Sequence, residues 1–225
     1  MTSICLLEKL ESNSSKKIKL KINDNRTTML SVKWEPDCTK VSLHRMFLEA
    51  PIEVLDSIGS YIRRENPAID RTVKTFIEEK LRLLDYSRRL DQKKMSTKGT
   101  VYDLQAMYDG LNEKYFGGQL QLSVTWFGPR KPKNRTKISL GLYQETLKLI
   151  KIHKLLDNKR FPYYILEYVM YHEMVHFVCP PYVDENGVSR IHHKAFTERE
   201  QQYQLFHQAD QWIKQHQHDF FNSTY

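Results

Sequence analysis

The residues with the clearest chemical meaning are His172, Glu173 and His176, in the run Tyr171-His172-Glu173-Met174-Val175-His176. The run reads H-E-x-x-H and lies inside an apolar stretch, 161–178, whose spacing predicts a helix. Helix positions i and i+4 share one face about a turn apart, so both imidazoles can address one metal ion. Zinc accepts neutral imidazole, and a hydrolytic zinc site takes three protein ligands and a water. Glu173 sits beside the first ligand, placed to act as general base on that water, whose pKa falls to about 7 on zinc. This is the zinc-peptidase pattern. The bland alternative is a helix whose two histidines only satisfy hydrogen bonds at a core edge. Its context argues for the metal: Ile165, Leu166, Val169 and Met170 recur at helical spacing, Pro162 suits the first turn, and Cys179-Pro180-Pro181 ends the helix just past His176.

A third ligand is required. Residues 180–190 read as a polar loop around Asp184-Glu185-Asn186-Gly187, which is a turn signal. The loop delivers Ile191-His192-His193-Lys194-Ala195-Phe196 to the start of another helix, so His192 or His193 completes a three-histidine site with its fourth position open. The separation from His176 is too long for the tight H-E-x-x-H-x-x-G-x-x-H arrangement. Peptide hydrolysis also needs a donor for the oxyanion, and Tyr143, Tyr171 and Tyr182 are the candidates.

The H-E-x-x-H run followed by a loop and His192-His193-Lys194-Ala195-Phe196 resembles the SprT-like family of zinc metallopeptidases, which includes the Spartan-type proteases. The family's third ligand stands four residues before an aromatic; carried onto this chain, the resemblance selects His192, with Phe196 as the aromatic. The chain departs from the pattern at His193, where a small residue is usual. Upstream, Leu111-Asn112-Glu113-Lys114-Tyr115-Phe116-Gly117-Gly118-Gln119-Leu120 resembles the family's L-N-x-x-Y-F-x-x-x-L segment. Trp126, Gly141-Leu142-Tyr143 and the pair Ile150 and Ile152 follow in the family's order. The resemblance covers about 101–203 and says little of 1–95. It implies a zincin-like fold and proteolysis, in Spartan-type relatives of proteins crosslinked to DNA.

At 40% hydrophobic and 28% charged residues, the chain has the composition of a globular protein and not of a disordered one. No apolar run is long enough to span a membrane and the N-terminus lacks a signal-peptide pattern, so the expectation is a cytoplasmic protein, with nucleoid or nuclear association left open. Cys5, Cys38 and Cys179 are widely spaced with no C-x-x-C, which argues against a disulfide framework or a zinc ribbon. Cys179 is expected to pack at its helix end.

The formal net charge of +8 favours polyanionic partners. The basic residues fall in three groups: Arg88, Arg89, Lys93, Lys94 and Lys98; Arg130, Lys131, Lys133, Arg135 and Lys137; and Lys16, Lys17, Lys19 and Lys21 along a strand. Each group is as readily a solvated face as a binding patch. No sequence-reading nucleic-acid motif is present, so binding to nucleic acid would be directed to the backbone and sensitive to salt.

In chain order, 17–23 alternates as a strand, Asp24-Asn25-Arg26 turns it, and 28–34 returns as the second strand of a hairpin. Residues 41–47 suggest a third extended segment, whose His44 reads as a packing residue. Two helices follow, one opened by Pro51 and broken at Asn66-Pro67, the other ending near residue 86. Residues 87–100 read as a linker. Then come an amphipathic helix over 101–116 capped by Gly117-Gly118, strands over 120–127, 138–143 and 147–152, the H-E-x-x-H helix, and one last helix over 193–219. His153, His207, His216 and His218 are expected on the solvent side. No internal repeat is evident.

The expectation is therefore an α+β protein: a strand-hairpin and two-helix segment over 1–95, then a zincin-like domain over 96–225 with a three-stranded sheet beside the H-E-x-x-H helix. His172, His176 and His192 would hold Zn2+, with Glu173 as base, on a protein or peptide substrate and with nucleic acid as a further partner. The rivals are a non-catalytic, zinc-stabilised DNA-binding or adaptor protein, and a hydrolase of small amides.

Overall fold

A computed structural model describes residues 2–12, 14, 16–25, 28–130 and 138–216 of the chain. Contacts divide it into two units, Met1–Leu84 with Tyr182–Arg190, and Asp85–Pro181 with Ile191–Tyr225. The boundary thus falls at residue 84 instead of 95, and a piece of the loop between His176 and His192 belongs with the first unit.

The first unit opens with α1 (Ser3–Glu11), capped by the Thr2 hydroxyl accepting from the Cys5 N–H. The sequence reading has no helix there. Next come β1 (Lys17–Asn23), β2 (Leu30–Trp34) and β3 (Cys38–His44). They do not form the expected hairpin: the order is β1-β3-β2, with β3 parallel to β1 and antiparallel to β2. The reason is burial. β3 buries Cys38, Thr39, Val41, Leu43 and His44 and takes the centre, whereas lysine-rich β1 is suited to an edge. α2 (Ile52–Ile62) and α3 (Arg71–Leu83) close a core around Leu6, Phe47, Leu55, Ile58 and Val73.

The second unit begins inside the expected linker. Residues 87–94 form two short 3₁₀ turns, and the following segment is fastened to the sheet: Trp126 donates its backbone N–H to Ser96 O (2.8 Å) and its indole N–H to Thr97 O (2.9 Å). α4 (Leu104–Phe116) is capped by Asp103 and ends on Gly117 at φ 61°, the left-handed conformation glycine tolerates. Asn112 on α4 clasps Leu120, donating to its C=O (3.0 Å) and accepting its N–H (3.1 Å). β4 (Ser123–Phe127), β5 (Gly141–Gln144) and β6 (Leu149–His153) form a sheet of order β4-β6-β5, so β5 is an edge. α5 (Tyr163–Val178) is the central helix, buried on nearly every side through Ile165, Leu166, Met170, Tyr171, Met174 and Val175.

After α5 the chain makes a small hairpin, β7 (Tyr182–Val183) and β8 (Ser189–Arg190), which packs on α3: Lys74 Nζ donates to Gly187 O (2.8 Å) and Ser189 Oγ to Glu78 (2.9 Å). The expected last helix is two, α6 (Lys194–Glu200) and α7 (Phe206–Gln215). At the break Tyr203 turns inward and is buried, its hydroxyl donating to Tyr164 O (3.1 Å). Burial of an aromatic of this size outweighs one lost helical turn. Positions 217–219 of the expected helix and His218 lie outside the described residues.

The units share one plan, although the sequence carries no internal repeat. Each runs helix, three strands, 3₁₀ turn, helix; each has its third strand central, parallel to the first and antiparallel to the second. β3 ends at His44 and β6 at His153, both buried, and each Nδ1 accepts the N–H two residues on, from Met46 and Leu155 (3.1 Å in both). His153 is therefore a turn cap and not a solvent residue. The N–H of His44 donates to Met29 O (2.7 Å), and that of His153 to Leu140 O (2.8 Å). Pro51 and Pro162 stand at the same place before α2 and α5. Without these bonds the similarity is confined to apolar alternation around a histidine, which is common in strands.

Candidate metal centre

α5 brings His172 and His176 to one face, as the i, i+4 spacing requires, and the chain entering α6 brings His192 to them. One nitrogen from each of the three lies within 4.8 Å of the others. His176 Nε2 and His192 Nε2 are 3.4 Å apart, close to the edge of about 3.3 Å for a tetrahedron with metal–nitrogen bonds of about 2.05 Å. The three rings surround Phe196, with centroids 5.1, 4.7 and 4.7 Å from its own. Phe196 is fully buried and forms the floor of the cluster. His193 faces elsewhere, its Nε2 3.2 Å from Pro180 O. Of the two histidines, His192 is therefore the one that stands in the cluster.

The electrostatics suit a cation. Burial, then the neighbouring imidazoles His172 and His192, push His176 down to about 3, and burial followed by His172 lowers His192. Both rings are therefore neutral near pH 7, the form that ligates. Glu200, at the end of α6, places Oε1 2.6 Å from His172 Nδ1 and accepts from the Tyr168 hydroxyl (2.8 Å). Burial raises the Glu200 pKa, but the bonds from His172 and Tyr168 outweigh it and hold the carboxyl below its ordinary value. An ionised acceptor fixes the Nδ1–H tautomer and leaves Nε2 of His172 for the metal. The donor set therefore fits a metal ion held by three imidazoles.

Glu173, the residue between the ligands, is 6% exposed. Burial raises its carboxyl to about 7, opposed by the nearby His172 and by the Tyr143 backbone N–H that it accepts. Edge strand β5 passes so near that a Cβ added at Gly141 would collide with the Glu173 carboxyl. The three histidines and Glu173 line an open cleft of about 420 Å³ together with Gly141, Leu142, Tyr143 and Ile191. Of the tyrosines considered as oxyanion donors, Tyr143 lines this cleft, Tyr171 is fully buried and donates to Arg199 O (2.7 Å), and Tyr182 lies in the first unit.

Glu200 carries no expectation in the sequence, and Gly141 enters there only within a segment that follows the family's order. His192, Phe196 and Glu200 recur every four residues, a helical-face signal that was there to be used. Nothing local marks Gly141, because its role depends on a residue of another element. Cys179 caps the end of α5 as expected. His207 is exposed, whereas His216 stacks on Trp212 at 4.2 Å. Of the second basic group, Arg130 is paired with the buried Asp157 (3.1 Å), and Lys131, Lys133, Arg135 and Lys137 lie outside the described residues. No helix among the described residues is long and apolar enough to cross a membrane. No protein-family model, curated protein or solved structure matches the chain.

Proposed function

We propose that the second unit is a zincin-like, SprT-like zinc metallopeptidase domain. The observation that carries this reading is the convergence of His172, His176 and His192 beside a buried glutamate, in an open cleft along a sheet edge. His172, His176 and His192 would hold the zinc, which when bound acidifies a water and polarises the scissile carbonyl. Glu173 receives the proton of the attacking water at its carboxylate and passes it to the leaving nitrogen. The Tyr143 N–H holds the carboxylate in place, and Glu200 holds the His172 ring. β5 is an edge of its sheet, so an extended polypeptide can pair with its backbone, a mode that reads main chain more than side chains. Tyr143, lining the cleft, is the tyrosine suited to donate to the oxyanion. The substrate class is therefore polypeptide, and the net charge of +8 with the SprT-like resemblance suggests proteins associated with or crosslinked to DNA.

The test is cleavage of a DNA-binding protein by zinc-loaded enzyme, with and without single-stranded DNA. Glu173→Gln is expected to keep its zinc and lose about 10²- to 10⁴-fold in rate. Cleavage that survives the substitution overturns the assignment of the base. Full zinc content without cleavage by the native chain favours the non-catalytic, zinc-stabilised reading. Glu173-dependent cleavage indifferent to DNA keeps the chemistry and removes the DNA-linked substrate.

A further inference from the structure

We propose that the open face of the first unit's sheet is a docking surface for a nucleic-acid phosphate backbone, bound without sequence preference. The surface lies in a different unit from the metal cluster, and its test needs no hydrolysis.

The strand register assembles it. Lys17, Lys19 and Lys21 alternate along β1, with Ile18 buried on the opposite face. Lys19 stands opposite Lys40 on β3, and Lys40 opposite Lys33 on β2. One row of three lysines therefore runs along the sheet edge and another crosses all three strands, sharing Lys19. All five lysines are exposed. Strand geometry spaces them about 6.6 Å apart along the row and about 4.8 Å apart across it. Like charges directly opposite one another destabilise a sheet. Here the described ion pairs place a single acid against the row, Glu35, bonded to Lys40 (2.9 Å) and 3.3 Å from Lys33. The arrangement is unfavourable for the isolated sheet and becomes favourable against a polyanion.

The second unit provides the control, because its sheet has the same register. The positions corresponding to Lys19, Lys21, Lys40 and Lys33 are Ser123, Thr125, Leu149 and Gln144, and that corresponding to Lys17 is Gln121. None is charged. Thr125 there is covered, its hydroxyl accepting the Ser96 N–H (3.0 Å), and Leu149 is buried. The lysines are therefore no requirement of the frame; they belong to the unit whose sheet face is open.

The other groups on this face select the partner. Ser31 and Ser42 share it, aligned with Lys21. Trp34, the aromatic of β2, is on the helical side, its indole N–H donating to Ile62 O (2.8 Å). The one apolar side chain on this face, Cys38 opposite Lys17, is buried, so the face lacks the exposed anchor that membrane-surface elements use. A face without aromatics cannot stack bases, so the contact is to phosphates.

The experiment measures binding of the full chain to a fluorescent mixed-sequence oligonucleotide, single-stranded and duplex, by anisotropy over a salt series. The triple reversal Lys19→Glu, Lys33→Glu and Lys40→Glu is expected to weaken binding at least about 100-fold at low salt. It should also flatten the slope of log K against log salt by about 0.7 to 0.9 per lost phosphate contact. The charge-preserving Lys→Arg triple is expected to bind as the native chain does, which separates charge from folding. Reversal of Arg88, Lys93 and Lys98, an equal charge change in the second unit, should leave affinity within about threefold. Native-like binding by the first triple overturns the proposal, as does equal loss from the second. Binding to phosphatidylserine vesicles but not to oligonucleotide also overturns it. Loss of peptide cleavage in any variant bears on the hydrolytic reading alone.

Discussion

Aligned on His44 and His153 at the strand ends and on Pro51 and Pro162 at the helix starts, the two units match in frame and part company at the positions that would do chemistry. Where the second unit has His172 and Glu173, the first has Tyr61 and Ile62; where the second has Gly141 opposite Ile152, the first has Leu30 opposite Leu43. Ile62 and Glu173 are both buried. The helices differ in length as well. α2 stops at Ile62, followed by Arg64 at φ 63° and Asn66-Pro67, so Glu65, which corresponds to His176, is past the helix end; α5 continues to Val178. The difference teaches that glycine and glutamate go together. A buried carboxylate against an edge strand needs a position without a Cβ and a backbone N–H to accept, whereas leucine and isoleucine fill comparable space with apolar contact. The frame accommodates either filling, since burial and backbone hydrogen bonding are common to both units.

The largest effect should come from exchanging these fillings. Gly141→Ala is expected to cost at least about 100-fold in hydrolysis with zinc content unchanged, because the new Cβ displaces the base that Tyr143 N–H holds. Initial rates with metal analysis check it, and an active Gly141→Ala enzyme would break the coupling between the two positions. The reciprocal Leu30→Gly should leave hydrolysis unchanged and lower stability by about 1–3 kcal/mol.

A second contrast lies four residues past each histidine, where the first unit has Leu48 and the second has Asp157. Asp157, 1% exposed at its side chain, accepts the N–H groups of Thr100 (2.6 Å), Val101 (2.8 Å) and Tyr102 (3.2 Å) and the Thr100 hydroxyl (2.7 Å), besides pairing with Arg130. Burial raises its pKa, but those bonds outweigh it and leave the folded value below 3.8. A depressed acid stabilises the fold above its unfolded pKa and loses that contribution as pH falls through the folded one. Asp157→Asn should therefore lower stability at pH 7 by about 2–3 kcal/mol, with the difference shrinking below about pH 4. Denaturant titrations across pH measure this; Leu48→Ala should show no such pH dependence.

The smallest expected effect concerns the orienting carboxylate, for which the first unit, having no ligand to orient, has no use. Glu200→Ala is expected to weaken zinc binding about 10- to 100-fold in a chelator competition, and Glu200→Gln to recover part of it by still accepting from His172. Unchanged affinity in both variants would show that Phe196 packing alone orients the ring.

By itself the sequence determined the parts whose signal is local. The i, i+4 histidines with their intervening glutamate predict one helix face carrying all three, and α5 forms there because 3.6-residue periodicity and an apolar run favour a helix over 163–178. The lysine alternation of β1, the Gly117 stop of α4 and the third histidine beyond a loop were legible for the same reason. What only the tertiary structure decided are pairings between elements distant in sequence. Sheet order turned an expected hairpin into β1-β3-β2, because total burial and not adjacency selects the central strand. Packing brought His192 and not His193 to the other two histidines, drew Glu200 onto His172, and placed Gly141 against Glu173. The shared plan is written in backbone hydrogen bonds, which any side chains of similar burial satisfy, so one register carries Gly141 beside Glu173 in one unit and lysines in the other.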